Sequence, residues 1–378
     1  MKLAVVYRVV QGWRKPVFSR LAVDKTFKLY YGCDFEGTKV VSAKGPFEFE
    51  TKKLFSIPLS FKKTGGNMLL PISPGMFFEL IRYRPDVVLC EGASNFINNI
   101  SIFIYCKLFK KKMIQWGLGE IRERKKSSIR KMLGPLIVPI EKRADAIVSY
   151  STEGAKYYKN IGISAEKIFV AVNVVDTDSR IKEIDDFYSE ILPSDDNKVD
   201  SAFKVVFVGA LEPNKNIEML INSFEKLINA FPDVELHIVG GGSDKIRLQE
   251  LVMKKAISNS VKFYGKVGGP LINIVHDKDI FVMPGLGGLA VSDMLCHGIP
   301  VICGVGDGCE KDLINGQNGI IDDSLDEYKL FEYLKELKLN PKKLKEMKLN
   351  ATRTIERHNI SNYVQQINNA IEFVLEEK

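Results

Sequence analysis

The densest chemistry in the sequence lies in Pro284-Gly-Leu-Gly-Gly-Leu-Ala-Val-Ser-Asp-Met-Leu-Cys-His-Gly-Ile-Pro-Val301. An apolar run, Asp279-Ile-Phe-Val-Met283, precedes it and reads as a buried parallel strand. Gly285, Gly287 and Gly288 remove side chains where that strand ends, so a ligand can come close to main-chain amides. Leu289 to Cys296 reads as a short helix, closed by His297-Gly298 with Pro300 just beyond. Strand, glycine loop and helix N-terminus together form an anion site suited to a diphosphate. The amides of Gly288, Leu289 and Ala290 are its donors. Asp293, one turn inside the helix, offers a carboxylate to ribose hydroxyls. Taken alone, the glycines equally fit an ordinary turn between a strand and a helix.

Three further strand exits of the second half carry the same kind of residue. They are Gly209 with Lys215 after the strand Phe203–Val208, Gly240-Gly-Gly-Ser243 after Val234–Val239, and Gly265 after Val261–Tyr264. A parallel sheet brings such exits to one edge, where ligands collect. Lys215 supplies a point charge for phosphate. There is no Walker lysine pattern, which argues against ATP hydrolysis. The first strand, Leu3–Tyr7, lacks Gly-x-Gly-x-x-Gly, which argues against a dehydrogenase. In the loop after it, Arg8, Trp13 and Arg14 are candidates for holding a sugar face and an anion, or are plain surface side chains.

The elements that must position these residues follow from pattern. Strands at Leu3–Tyr7, Phe27–Tyr31, Thr38–Ser42, Asp86–Cys90, Lys112–Trp116, Ala146–Tyr150 and Ile168–Val172 alternate with helices at Pro16–Ala22, Pro74–Tyr83, Asn95–Leu108 and Thr152–Asn160. That alternation predicts a doubly wound α/β domain. Residues 43–72 show no clean period. Residues 177–202 are rich in Asp, Glu, Ser and Lys and read as a linker. The pattern then restarts and ends in helices at Asp326–Leu339, Pro341–Glu356 and Ser361–Glu377.

At 378 residues, 45% hydrophobic and 27% charged, the chain has the size and composition of two globular domains. Six cysteines (33, 90, 106, 296, 303 and 309) form no C-x-x-C pair, and four histidines are dispersed, so no metal site is expected. The net charge of +7 hides an asymmetry. Residues 1–150 carry 27 Lys and Arg against 12 Asp and Glu, and the rest carry 27 against 35. A basic half and an acidic half point to an anionic partner on the first half. No nucleic-acid reader motif accompanies it, so nucleic acid is not expected. The basic run Ile121–Lys131 beside the apolar, proline-bent Met132–Ile140 fits docking on anionic lipid, or a core-facing helix with a charged outer face. Met1–Tyr7 runs directly into a strand rather than a signal peptide, and a cytoplasmic protein is expected.

Several segments together resemble the family-4 (group 1) glycosyltransferases of GT-B fold. They are Phe207-Val-Gly-Ala-Leu-Glu-Pro-Asn-Lys215, Ile238-Val-Gly-Gly-Gly242, Val261-Lys-Phe-Tyr-Gly265, Asp279–Pro284, Asp293–Val301 and Asn315-Gly-Gln-Asn-Gly319. Weaker echoes occur at Arg84–Val88, Ala144–Val148 and Lys167–Asn173. The resemblance implies two Rossmann-like domains facing a central cleft. Residues 1–190 would form the acceptor-binding domain, completed by a helix at about 358–378 that crosses back. Residues 200–357 would hold a nucleotide-sugar donor. By the family pattern, Lys215 contacts the diphosphate, with Gly209, Gly240, Gly265, Gly285 and Gly287 lining the site. Gly288, Leu289 and Ala290 give it their amides, Asp293 binds the ribose, and Lys266 and Val267 border the base. The acceptor would use Arg8, Gly12, Trp13, Arg14, Trp116 and Gly117. No metal or other cofactor is implied, because cationic side chains and amides do the electrostatic work. The sequence departs from the pattern in three places. The usual arginine is Ala210, the first glutamate of the paired-glutamate motif is Gly285, and the first domain has no histidine. Asp293 and either Glu91 or Glu120 are the acidic candidates for catalysis.

The expected activity is transfer of a hexose from a nucleotide sugar to a cell-envelope glycan precursor, with retention. The acceptor would be lipid-linked, and the enzyme would sit peripherally on the inner face of the membrane. A sugar-nucleotide epimerase of GT-B fold and a catalytically inactive glycan-binding or scaffold protein are the alternatives.

Overall fold

The computed structural model describes residues 1–34, 42–43, 45–61, 68–120, 128–190, 202–304 and 306–376. It divides into two compact units, Met1–Asn173 with Ser361–Lys378, and Val174–Ile360.

Unit 1 contains β1 (Lys2–Tyr7), β2 (Thr26–Tyr31), β3 (Thr51–Lys53), β4 (Ile57–Phe61), β5 (Met68–Ile72), β6 (Val87–Glu91), β7 (Lys112–Gly117), β8 (Ala146–Ser149) and β9 (Ile168–Val170). Its helices are α1 (Lys15–Ala22), α2 (Met76–Tyr83), α3 (Phe96–Leu108), α4 (Ser128–Glu141) and α5 (Thr152–Asn160). Seven strands form a parallel sheet in the order β3-β2-β1-β6-β7-β8-β9. The apolar runs read from the sequence are its central strands. β1 and β6 are buried on both faces, so their residues do not alternate. Residues 43–72 had no period because they hold a three-residue edge strand and a separate antiparallel pair, β4 with β5. That pair packs Leu70 against Phe96 of α3 and Ile137 of α4. The strand expected at Thr38–Ser42 and the basic run at 121–127 lie outside the described residues, apart from Ser42. Ser73 does not cap α2, which starts after Gly75. Its amide donates to Asn98 Oδ1 at 2.8 Å and its hydroxyl meets that of Ser56, which anchors the β5 exit to α3.

Unit 2 contains α6 (Thr177–Glu190), β10 (Phe203–Val208), α7 (Ile217–Ala230), β11 (Val234–Val239), α8 (Lys245–Lys254), β12 (Val261–Gly265), α9 (Ile272–Val275), β13 (Ile280–Met283), α10 (Leu289–Cys296), β14 (Val301–Cys303), α11 (Glu310–Leu313), β15 (Gly319–Ile321), α12 (Glu327–Leu339) and α13 (Pro341–Arg357). Its parallel sheet runs β12-β11-β10-β13-β14-β15. α7 shows why such helices were legible. Ile217, Leu220, Ile221, Phe224 and Leu227 recur at helical spacing and are buried. Burying each such side chain contributes about 1.5–3 kcal/mol.

One boundary differs from the sequence reading. The chain changes unit at 173 rather than 190, because α6 is fastened to unit 2. Val175 N donates to Ser292 Oγ at 3.1 Å, and Ile360 N donates to Thr177 Oγ1 at 3.0 Å. The Phe187 ring of α6 also lies against His276, with centroids 5.1 Å apart. The last helix, α14 (Ile360–Glu376), belongs to unit 1 from Ser361 onward. Tyr363, Ile367, Ala370, Ile371 and Val374 on it are buried.

Candidate functional site

In unit 2 the strand order reverses between β10 and β13. Open α/β sheets bind ligands at such a point, beyond the carboxyl ends of the strands. The glycine exits are laced together there by main-chain bonds. Gly209 N donates to Val239 O at 3.0 Å, Leu211 N to Gly241 O at 3.1 Å, and Gly240 N to Gly265 O at 2.8 Å. A Cβ on Gly240 would stand 1.8 Å from Gly209 O, so only glycine allows this approach.

Lys215 lies in a single 3₁₀ turn, Pro213–Lys215, below the loop that leaves β13. Leu286 N donates to Asn214 O at 3.0 Å. The Lys215 ammonium donates to Leu286 O and, at 3.3 Å, to Gly287 O. A Cβ on Gly285 would lie 2.3 Å from Asn214 O. As the chain is folded here, a glutamate at 285 has no room, which gives the departure at that position a steric reason. Gly288 precedes α10 with nothing within 4 Å of where its Cβ would be. The first turn of α10 therefore opens on free space. Helix geometry leaves its first amides, those of Leu289 and Ala290, without intrahelical partners at the positive end of the dipole. Lys266 and Val267 are exposed beyond β12. The structure thus gathers Gly209, Lys215, Gly240, Gly265, Gly285, Gly287, Gly288, Leu289 and Ala290 at one end of a single sheet.

Asp293 sits one turn into α10 with its side chain 13% exposed. Arg180 of α6 holds it: Nε lies 2.7 Å from Oδ1, and Nη2 donates to Oδ2 at 3.3 Å. Burial outweighs the pull of Arg180 and raises the Asp293 carboxyl to about 6. His297, buried and 3.6 Å from Asp293 Oδ1, is pushed down to about 3 by burial and by Arg180, and is neutral at pH 7. Sequence reasoning missed Arg180 because it fell in the stretch read as linker. It also missed Glu310, whose Oε1 accepts from Asp307 N at 2.8 Å and whose Oε2 accepts from Gly308 N at 2.7 Å. A Cβ on Gly287 would lie 2.6 Å from Glu310 Oε1, so this buried carboxylate props the glycine loop from beneath. The glycine run before Glu310 was its only signal.

In unit 1 the candidates separate. Gly12 and Trp13 face open space: nothing lies within 4 Å of a Cβ at Gly12, and Trp13 is 49% exposed. Arg14 and Trp116, expected to meet an acceptor, are instead buried, at 4% and 0% exposure. The Arg14 guanidinium lies 4.8 Å from the rings of Trp116 and Tyr150 and bonds the Tyr363 hydroxyl of α14. It is a cation stacked among aromatics inside the fold. Gly117 packs under the Tyr158 hydroxyl, 2.9 Å from a Cβ position. Arg8 and Glu91 are paired, with Nη2–Oε1 at 2.8 Å, and Arg8 N donates to Oε2 at 3.0 Å. Burial would raise Glu91, but the Arg8 charge and the bonds from Arg8 and Ser94 win and hold its carboxyl below the ordinary range. Glu91, one of the two acid–base candidates, is thus committed to Arg8 and Ser94 within unit 1. Glu120 lies in unit 1, three residues beyond β7.

Residues 189–354 match the family described as glycosyl transferases group 1. The match covers most of unit 2. One relative is the GDP-mannose-dependent monoacylated alpha-(1-6)-phosphatidylinositol monomannoside mannosyltransferase of Corynebacterium glutamicum, 33% identical over 143 residues. The match covers 35% of this chain and spans only 36% of that relative's length. Among solved structures, HepE of Anabaena in complex with UDP superposes with a TM-score of 0.72 at 16% identity, covering 98% of this chain and 100% of that one. The lipopolysaccharide outer core galactosyltransferase WaaB in its apo form gives 0.70 at 18% identity, covering 98% and 99%. At these identities the likeness is one of fold, and the fold is GT-B: two α/β units, each built on a parallel sheet.

Proposed function

We propose that this protein is a glycosyltransferase that moves a hexose from a nucleoside diphosphate sugar to a lipid-linked glycan precursor of the cell envelope. The observation that carries the reading is the meeting of Lys215 with the glycine loop and the open first turn of α10 at the β10/β13 reversal. Lys215 and the α10 amides neutralise the diphosphate as it becomes the leaving group. Asp293 receives the ribose hydroxyls, and Lys266 and Val267 border the base. We expect retention at the anomeric carbon and no metal requirement, so chelator leaves transfer unchanged. The group 1 match and the names of its relatives support this reading.

The acceptor class is supported by the charge of the first half, 27 basic against 12 acidic residues. It is further supported by α3, which exposes Ile100, Ile104 and Leu108 at four-residue spacing beside Lys107, Lys110 and Lys111. No helix of the described residues is long and apolar enough to cross a membrane.

Melting curves with UDP, GDP and ADP test the donor site, because a ligand of the native state raises apparent stability by mass action. One of the three should raise the melting temperature of the wild type. Lys215→Ala should abolish that rise or weaken affinity roughly 10- to 100-fold, the usual loss for a hydrogen bond to a charged group. If none of them shifts the curve, the donor assignment falls.

A further inference from the structure

Arg180 has no counterpart in any of the site residues read from the sequence, yet it is the group closest to the carboxylate assigned to ribose. It lies on α6 and reaches Asp293 on α10 through both Nε, at 2.7 Å from Oδ1, and Nη2, at 3.3 Å from Oδ2. The guanidinium sets the place of the carboxylate by its charge. Nη2 takes one of about four acceptor positions, and Oδ1, though close to Nε, is left without a hydrogen bond. Acceptor positions therefore remain for a pair of ribose hydroxyls. Arg180 is itself anchored from the far side, with Nη1 bonded to Glu183 Oε2 at 2.5 Å. The groups around Asp293 leave Arg180 as its counter-charge. Glu183 on α6 has the same sign as Asp293, and Cys296 and His297 on α10 are buried and uncharged at pH 7. Glu310 of α11 is turned to loop amides, and Lys348 of α13 is paired with Asp279.

We propose that Arg180 is a positioning residue for the donor: it holds the Asp293 carboxylate as an anion aimed at the ribose hydroxyls. The inference rests on the reading of unit 2 as a nucleotide-sugar site. A buried carboxylate without its cation takes up a proton more readily, and the protonated form accepts hydroxyls less well. Arg180 therefore acts on nucleotide affinity and on sugar-ring discrimination, and it does so in a pH-dependent way. A residue that merely pins α6 to α10 would move only stability.

The test uses the full chain as wild type, Arg180→Met, Arg180→Lys and Asp293→Asn. Calorimetric titration measures binding of UDP, GDP and ADP, and of their 2′-deoxy and 3′-deoxy forms, from acid to alkaline pH. Wild type should prefer the ribonucleotide. Arg180→Met should lose roughly 10- to 100-fold in affinity for it and lose most of the preference. The pH below which binding weakens should move up by roughly one to three units. Arg180→Lys should recover part of both. If wild type binds none of UDP, GDP and ADP, the donor reading fails and this inference fails with it. If wild type binds and Arg180→Met keeps the same affinity, preference and pH midpoint, the donor site stands and the role of Arg180 is overturned, whatever happens to its melting temperature. Should Arg180→Met not fold, Asp293→Asn decides: it should lose the same preference and bind evenly across pH, and retained preference overturns the proposal.

Discussion

Asp293 is the residue at which burial and charge compete most directly. Its carboxyl is raised from an ordinary 3.8 to about 6, so it is ionised above that value and protonated below. Nucleotide affinity should therefore hold through neutral pH and fall as pH drops through about 6. Folding responds in the opposite sense. A raised acid favours the native state most below its unfolded value near 4, and that contribution is lost as pH rises through about 6. Titrating binding and melting temperature over the same range separates the two. Gly285 makes a steric prediction. Gly285→Ala places a Cβ 2.3 Å from Asn214 O, so the loop and the Lys215 turn must part. The variant should melt several degrees lower and bind nucleotide weakly; melting and affinity equal to wild type would contradict the packing described.

At the scale of elements, α14 deserves the strongest expectation. It returns to unit 1 and seals Trp116 and Arg14 with Tyr363, while Ile367, Ile371 and Val374 fill the remaining contact. Several such side chains are worth about 1.5–3 kcal/mol each, against a domain stability of about 5–15 kcal/mol. A chain ending at Ile360 should consequently leave unit 1 unfolded, measured as early loss of tryptophan signal on heating. Both tryptophans, Trp13 and Trp116, lie in unit 1, so the signal reports that unit alone. Arg14 explains why a loop residue beside a first strand misled the reading. Sequence places it at the ligand edge, but aromatic residues brought from β7, from the exit of β8 and from α14 enclose it.

For the whole molecule, charge is the property that separates the halves. The first 150 residues are net basic, 27 against 12, and the remainder net acidic, 27 against 35. Binding to vesicles containing anionic lipid should be measurable at low ionic strength. It should weaken steeply as salt rises, because screening length falls from about 30 Å at 0.01 M to about 8 Å at 0.15 M. Flotation with neutral and anionic vesicles checks this, and equal recovery with both would remove the membrane part of the reading.

Local sequence determined what local physics controls. The buried strands, the amphipathic helices, the glycine exits and the positions of Lys215 and the α10 N-terminus are set by apolar period and by turn residues acting over a few positions. That the strands run parallel, which brings those exits to one edge, followed from alternation of strand and helix. Only the tertiary structure decided pairings between distant residues. Arg180 with Asp293, Glu310 with the 307–308 amides, Arg8 with Glu91, and Arg14 inside its aromatic cage depend on which elements pack together. A charged side chain looks the same in sequence whether it faces water or is enclosed. Its neighbours in space fix its burial, its partner and hence its protonation.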